Sequence, residues 1–170
     1  MLNVTVRSVL PDDLLLLDRL WQLYRHDLSE FRGSLPDDTG LFTPGRLPTY
    51  LNDPNSAGYV ICQDTRPVGF AFVSGVRAQP LRISEFFVVR AARRTGVGRL
   101  AARQLLATYT GRWEIAFQEE NPGAARFWRR LAVEVRPTGH REERRAVPGK
   151  PHIPPDTWLL LDEAQVDGTP

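Results

Sequence analysis

The chain has 170 residues, a formal net charge of +2 and 42% hydrophobic residues. This length predicts one domain over residues 1–170, large enough to bury a core without disulfides or metal ions. The single cysteine excludes an internal disulfide, and the small net charge gives no indication of a nucleic-acid partner. The sequence contains no run of about 18 apolar residues that would predict a membrane span, and its first residues lack a signal-peptide pattern. We therefore expect a cytoplasmic protein.

The predicted elements include both strands and helices, as judged from the period of the apolar residues and from the breakers between them. In chain order we expect a strand at 2–9, a helix at 14–28 capped by Asp12 or Asp13, a loop at 33–54 with a short helix near 46–51, strands at 59–63 and 68–76 joined by a hairpin turn at 64–67, a strand at 83–89, a helix at 97–110, a strand at 113–117, a helix that starts at Asn121-Pro122, and a strand at 158–161. Residues 132–156 are charged and rich in proline, and no element is assigned to them. Cys62 lies in an apolar strand, which indicates a core residue rather than a nucleophile.

Charge is distributed unevenly along the chain. From Asp12 to Asp38 seven acids stand against three arginines, net −4, and from Arg82 to Arg112 seven arginines stand against one glutamate, net +6. The basic segment suits an anionic cofactor, and the acidic segment could attract a cationic substrate. Solvation of an exposed surface is the alternative explanation for both segments.

A basic glycine turn follows the apolar strand at 83–89. Gly96 and Gly98 have no Cβ, so backbone N–H groups of the turn can approach a ligand closely, and the next helix points its positive end there. The turn therefore predicts a phosphate site. It is neither a P-loop nor a dinucleotide-binding turn, because Arg99 and Leu100 follow Gly98 and a third spaced glycine is absent.

The pattern Arg93-x-x-Gly96-x-Gly98 resembles the acyl-CoA pyrophosphate loop of the GNAT (Gcn5-related) N-acetyltransferases. The resemblance continues into the segment from Asn121 to Trp128, where the family has Asn, two spacers, Ala, three positions and then an aromatic residue, usually tyrosine. It covers roughly residues 82–131. Segments at 27–31, 83–87 and 148–152 further resemble a bacterial group of predicted acetyltransferases of unknown substrate.

The resemblance implies the GNAT fold, which is an α/β (α+β) architecture. It has a mixed, mostly antiparallel central sheet of six to seven strands with flanking helices, and its two central parallel strands splay apart. Acetyl-CoA is then the implied co-substrate and an amine the implied acceptor, with neither nucleic acid nor a membrane as partner and a homodimer as one option. No metal is expected, because His26, His140 and His152 are isolated from other ligands.

The resemblance also implies a cofactor site. The backbone of β-strand residues 86–88 would pair with the pantetheine amides, and the N–H of Val88 would stabilise the oxyanion. The turn amides and arginines of residues 93–99 would hold the pyrophosphate. The full set of predicted cofactor-binding residues is Phe86, Phe87, Val88, Arg93, Arg94, Thr95, Gly96, Val97, Gly98, Arg99, Asn121, Ala124 and Trp128.

Three residues are predicted to take part in catalysis: Glu85, Val88 and Trp128. Glu85 is the candidate general base, because it interrupts an apolar strand where burial would raise its pKa; an ion pair with Arg82 or another arginine is the alternative. Some relatives use a glutamate where this chain has Ala116. Trp128 replaces the usual tyrosine that protonates the thiolate, and an indole cannot serve as a general acid. Loss of that acid need not abolish turnover, because a thiol of pKa about 8.5 is a tolerable leaving group unaided. We therefore expect an active enzyme in which Trp128 packs beside the cofactor sulfur.

The favoured function is an acetyl-CoA-dependent N-acetyltransferase that acts on a primary amine of a small molecule or a protein. A non-catalytic acyl-CoA-binding module is the first alternative. A nucleic-acid binder that uses the arginine-rich segments is the second, but it does not explain Gly96 and Gly98. Candidates for the acceptor pocket are Tyr24, His26, Asp27, Glu30 and Phe31, with surface exposure or core packing as the favoured alternative for each one alone.

Overall fold

A seven-stranded mixed sheet forms the centre of the protein in a computed structural model that describes residues 2–149 and 151–163. The strand order is β1-β2-β3-β4-β5-β7-β6. Neighbouring strands run antiparallel except for β4 and β5, which are parallel. The strands are β1 (Val4–Ser8), β2 (Ser56–Gln63), β3 (Arg66–Ser74), β4 (Leu81–Val88), β5 (Trp113–Phe117), β6 (His140–Arg145) and β7 (Asp156–Leu161). The predicted fold class, a mostly antiparallel sheet with one central parallel pair, is confirmed.

Helices cover both faces of the sheet. They are α1 (Leu14–Arg32), α2 (Leu47–Asn52), α3 (Val97–Thr108) and α4 (Pro122–Val135). The start of α4 is as predicted, because the Asn121 side chain accepts the Ala124 N–H at 3.1 Å and Pro122 is the first helical residue. None of the helices in the described ranges is long and apolar enough to cross a membrane.

The hydrophobic core is divided by the sheet. On one face, α3 and α4 pack on the side chains of Trp113, Ile115 and Phe117, each at most 2% exposed, which confirms that these three share a face of β5. On the other face, α1 and α2 pack on aromatic residues of β3 and β4 such as Phe70. Cys62 is buried in β2, as expected of a core residue.

The parallel strands β4 and β5 separate part-way along their length. They pair only from Leu81↔Trp113 to Ile83↔Ile115. At the next residue β4 shifts register against β3, since Phe72 pairs with Glu85 and Val73 with Ile83, which leaves Ser84 as a bulge. From there an opening lies between β4 and β5, and the predicted splay is confirmed.

The sequence analysis missed one strand and made one turn too long. Residues 132–156 contain the end of α4 and all of β6, whose sequence His-Arg-Glu-Glu-Arg-Arg has no apolar residue to reveal a strand. The hairpin turn is also shorter than predicted, because Gln63 pairs with Arg66 and only residues 64–65 form the turn. Asp64 has a left-handed φ of 55°, which aspartate tolerates in such tight turns.

Asp13 has a different role from the predicted helix cap. It precedes α1, but its carboxylate binds no N–H of that helix. It accepts instead from the Leu10 N–H at 2.8 Å and from both terminal nitrogens of Arg7 at 2.6 and 2.8 Å. These hydrogen bonds, the one from Arg7 first, lower the pKa of Asp13 to about 2 and tie β1 to the start of α1.

We expect Asp13→Asn to lower the melting temperature at neutral pH and to lose that effect in acid. The folded pKa of about 2 lies below the ordinary aspartate value, so the ionised carboxylate stabilises the fold above about pH 4. That stabilisation disappears as the pH falls towards 2. Thermal unfolding of both proteins between pH 2 and 7 measures this, and a constant difference over that range would contradict it.

Candidate active site

The opening between β4 and β5 contains a cavity of about 100 Å³. It brings together six residues that the sequence placed in the site: Tyr24, Glu85, Phe86, Asn121, Ala124 and Trp128. The remaining lining includes Leu28 of α1, and Ala116 and Gln118 at the end of β5. A larger groove of about 420 Å³ next to the β2–β3 turn contains none of the predicted site residues.

Glu85 is held by two tyrosines. Its carboxylate accepts hydrogen bonds from the Tyr24 hydroxyl and, at 3.0 Å, from the Tyr50 hydroxyl. The alternative of an ion pair with Arg82 is wrong, because the Arg82 Nε binds Glu114 at 2.8 Å. No other arginine in the described part of the chain lies within ion-pair distance of Glu85.

The surroundings of Glu85 suit a group that takes up a proton. Desolvation raises the pKa of Glu85, and the hydrogen bonds from Tyr24 and Tyr50 offset only part of that shift. Desolvation and the negative charge of Glu85 also raise the pKa of both phenols, so they stay protonated at neutral pH and continue to donate. The result is a carboxylate with an increased affinity for a proton, beside the cavity.

The backbone of β4 turns a free edge towards the opening. The Val89 N–H donates to the Val68 carbonyl of β3 at 2.8 Å. Because the direction of the backbone N–H groups alternates along a strand, those of Phe86 and Val88 point away from β3. The Val88 carbonyl on this edge accepts from the Arg93 Nε at 2.7 Å. Phe87 is not brought to the opening, because its backbone groups face β3 and its ring packs on the side of α1.

The glycine turn presents unpaired backbone donors. Arg94 and Gly96 have left-handed φ angles of 63° and 101°, and the turn leads directly into α3. In residues 2–149 and 151–163 we find no hydrogen-bond acceptor for the backbone N–H groups of residues 94–99. Consecutive free N–H groups at the N-terminus of a twelve-residue helix can bind an anion.

The arginine side chains near the turn are mostly engaged by acids. Arg90 and Arg93 both bind Asp27 of α1, and Arg99 binds Glu134 at 3.0 Å. Asp27 belongs to the acidic segment that was predicted to attract a cationic substrate, but in the structure it binds two arginines of the basic segment. As a result, the charges of these three arginines are balanced within the protein.

Trp128 forms an aromatic wall of the cavity. It is 6% exposed, and its indole lies edge-on to the rings of Phe127 and Phe86 at centroid distances of 4.8 and 5.3 Å. Its N–H makes no hydrogen bond to any described residue. Trp128 therefore shapes the cavity by packing.

Comparison with known proteins agrees with this geometry. The sequence profile of the Acetyltransferase (GNAT) family matches residues 17–132. The chain belongs to the GNAT acetyltransferase family. This makes it a transferase of the acyl-transfer type, and the loop and the splayed strands described above lie within a GNAT domain.

Solved GNAT structures share the fold. An acetyltransferase from Thermus thermophilus aligns with a TM-score of 0.68 at 21% identity, over 94% of this chain and 97% of the other. Spermidine N-acetyltransferase from Vibrio cholerae, in complex with CoA and spermine, aligns with a TM-score of 0.64 at 13% identity, over 94% and 95% of the two chains. The ribosomal-protein-S18-alanine N-acetyltransferase from Escherichia coli gives 0.62 at 13% identity, over 99% of each. No protein of curated function matches the sequence.

The sequence analysis missed Tyr50, which belongs to this site, and the buried acid Glu114, which lies in β5 outside the cavity. Tyr50 comes from a six-residue helix inside a proline-rich loop, and nothing local indicates its contact with Glu85. Glu114 alternates with the apolar residues of β5 and is 8% exposed, and its carboxylate binds Arg82 and Arg145. An isolated acid in an apolar strand was the available signal for Glu114, as it was for Glu85. Within the described ranges no group of three or more potential ligands is arranged to hold a metal ion.

Proposed function

We propose that this GNAT protein is an acetyl-CoA-dependent N-acetyltransferase of the cytoplasm that acts on a primary amine. The acceptor would be a small molecule or an exposed amino group of a protein. The observation that carries the proposal is Glu85, a desolvated carboxylate that lies beside the opening of the sheet and is held by two phenols rather than by a cation.

The residues present fit acetyl-CoA. An extended arm that contains amides can pair with a strand edge, and the N–H groups of Phe86 and Val88 lie on such an edge. The free amides of residues 94–99 at the start of α3 would hold the diphosphate. Asn121 and Ala124, which line the opposite side of the opening, would limit where the arm can lie.

Glu85 would activate the amine. An alkyl ammonium has a pKa near 10.4, so a base is needed to expose the nitrogen lone pair at neutral pH. Acetyl-CoA would supply the acyl group, and the Val88 N–H on the free edge would stabilise the oxyanion, an effect of about 3 kcal/mol where such donors have been removed. Trp128 would exclude water from the wall of the cavity without donating the proton that the thiolate needs.

One observation favours a second function. Trp128 cannot donate a proton to the departing thiolate, because an indole is not a general acid. The site would therefore also suit a GNAT domain that binds acyl-CoA without turnover. The Vibrio cholerae relative with CoA and spermine bound supports CoA as the ligand in both cases.

Calorimetry and a thiol-release assay separate the two functions. We expect heat on titration with CoA or acetyl-CoA, and release of free thiol, detected with DTNB, only when acetyl-CoA and a suitable amine are both present. Binding without thiol release from any amine would support the binding module. No binding of either compound would refute both functions.

A further inference from the structure

Two arginines beside Glu85 have no acidic partner. Arg25 follows Tyr24 in α1, and its Nε is buried without a hydrogen bond. Arg46 immediately precedes α2, and its guanidinium lies 5.2 Å from the centre of the Tyr50 ring. Neither arginine forms an ion pair within the described residues, although most arginines near the glycine turn do.

Both arginines lie close enough to influence the base. Their positive charges act on the Glu85 carboxylate, the charge of Arg46 more strongly than that of Arg25. One is supplied by α1 next to Tyr24 and the other by the start of α2 above Tyr50. Both arginines therefore lie in or directly before the helices α1 and α2 that supply Tyr24 and Tyr50, on the side of the sheet away from α3 and α4.

The nearby acids are already used. Asp27 binds Arg90 and Arg93, and Glu30 lies 3.9 Å from Arg90. Asp37 accepts from groups of its own turn. The charges that act on Glu85 are those of Arg46 and Arg25, the reverse in sign of what the acidic segment of the sequence indicated, and they disfavour a polycation.

We propose that the acceptor is a primary amine that also carries an oxyanion, either a carboxylate or a phosphate, which Arg25 and Arg46 bind while the amino group lies at Glu85. This inference rests on the proposed acetyltransferase function. Guanidinium groups form paired, charge-assisted hydrogen bonds with both kinds of oxyanion. In addition, the two positive charges would lower the pKa of the acceptor ammonium and so assist its deprotonation.

The transfer step balances with these groups and water. Glu85 takes the first proton from the ammonium and passes it to water, and the neutral amine then bonds to the acetyl carbon while the C–S bond breaks. The second proton leaves the nitrogen through water and protonates the departing thiolate, so the products are the amide, CoA as the free thiol and one proton in solution. Arg25 and Arg46 form and break no bond, so they are specificity-determining residues.

A panel of matched amines tests this inference. The probes are β-alanine, 2-aminoethyl phosphate, propylamine, 1,3-diaminopropane and spermidine, together with γ-aminobutyrate and the common α-amino acids to vary the distance between the two groups. We expect kcat/KM for the best anionic amine to exceed that of propylamine by at least about tenfold, which corresponds to one charge-assisted contact. The carboxylate and phosphate probes identify which oxyanion is bound.

Variants then connect this preference to the two arginines. Arg25→Gln and Arg46→Gln should each raise KM for the anionic amine by about tenfold, with a much smaller change for propylamine. Arg19→Gln is the matched control, since Arg19 is an exposed residue of the same helix α1. Arg46 is also exposed, so its variant stays informative if Arg25→Gln unfolds, which the melting temperature reports.

The outcomes distinguish this inference from the proposed function. Acetylation of propylamine or spermidine as efficient as that of every anionic amine would overturn the inference and leave the acetyltransferase function intact. An anionic preference that survives both arginine substitutions would also overturn it. Thiol release from no amine at all would refute the proposed function, and the inference with it.

Discussion

Glu85→Gln is expected to lower kcat about 100- to 1000-fold, the usual contribution of a general base. Glutamine has the same shape: its oxygen can accept from one tyrosine and its NH2 group can donate to the hydroxyl oxygen of the other, but it cannot take a proton from the amine. CoA binding should persist, because Glu85 lies apart from the glycine turn. Thiol release at saturating acetyl-CoA measures the rate, and calorimetry with CoA measures the binding.

The same variant should change two pH dependences. Desolvation raises the pKa of Glu85 above its ordinary value of 4.5, so the wild-type rate should fall as the pH drops through that raised pKa, and the variant should lack this limb. Because the pKa of Glu85 is raised in the folded protein, the ionised carboxylate destabilises the fold at pH values above that pKa. Glutamine should therefore give an equal or higher melting temperature at neutral pH, and no gain below about pH 4.

Glu114→Gln is the matched control. Glu114 is the acid of the neighbouring strand β5; burial alone would raise its pKa, but the hydrogen bonds from Arg82 and Arg145 lower it. Its substitution should therefore lower the melting temperature while kcat of the folded enzyme stays near wild type. If Glu85→Gln kept the wild-type kcat, Glu85 would not be the base.

The parts of the site that the sequence revealed are local. The glycine turn could be recognised from Arg93, Gly96 and Gly98, because conformational freedom and helix polarity act within a few residues. Asn121-Pro122 likewise indicated its own helix start. The strand β5 was assigned with its observed bounds, since its apolar residues alternate over consecutive positions.

The contacts that give the site its chemistry join distant residues. Glu85 meets Tyr24 and Tyr50 across 61 and 35 residues, and Asp27 meets Arg90 across 63. Summed charges of segments therefore mislead: the acidic and basic segments neutralise one another at Asp27, and the charge left over near Glu85 has the opposite sign. Only the fold decides which charges remain unpaired.

The edge strand β6 shows the same limit in the fold itself. Its residues are all charged or polar, so no apolar alternation marks it as a strand. It is held by pairing with β7 and by ion pairs such as Arg145 with Glu114 at 3.1 Å. These partners lie in other elements, and no local pattern contains them.

Gly98→Asp is expected to weaken CoA binding by at least about 100-fold while the fold remains stable. Gly98 is the second residue of α3, and a Cβ there would lie 3.5 Å from the Phe127 ring, an ordinary contact. A carboxylate in the first turn of a helix is favourable by about 0.3–1 kcal/mol, so the melting temperature should hold or rise. A diphosphate at the same amides would meet that carboxylate, and two like charges about 4 Å apart near a protein surface repel by about 4 kcal/mol. Calorimetry with CoA and thermal unfolding measure the two effects.

Leu15→Asp separates this local repulsion from a change in overall charge. Leu15 is the second residue of α1 and is 60% exposed, so the substitution adds the same charge at the same helical position without removing a core side chain. Asp27, which binds Arg93 at the glycine turn, lies about 18 Å further along that helix at 1.5 Å per residue, so screening should keep CoA affinity within about twofold of wild type. Equal losses in the two variants would point to overall charge. Wild-type affinity in Gly98→Asp would show that the diphosphate is held somewhere other than the N-terminus of α3.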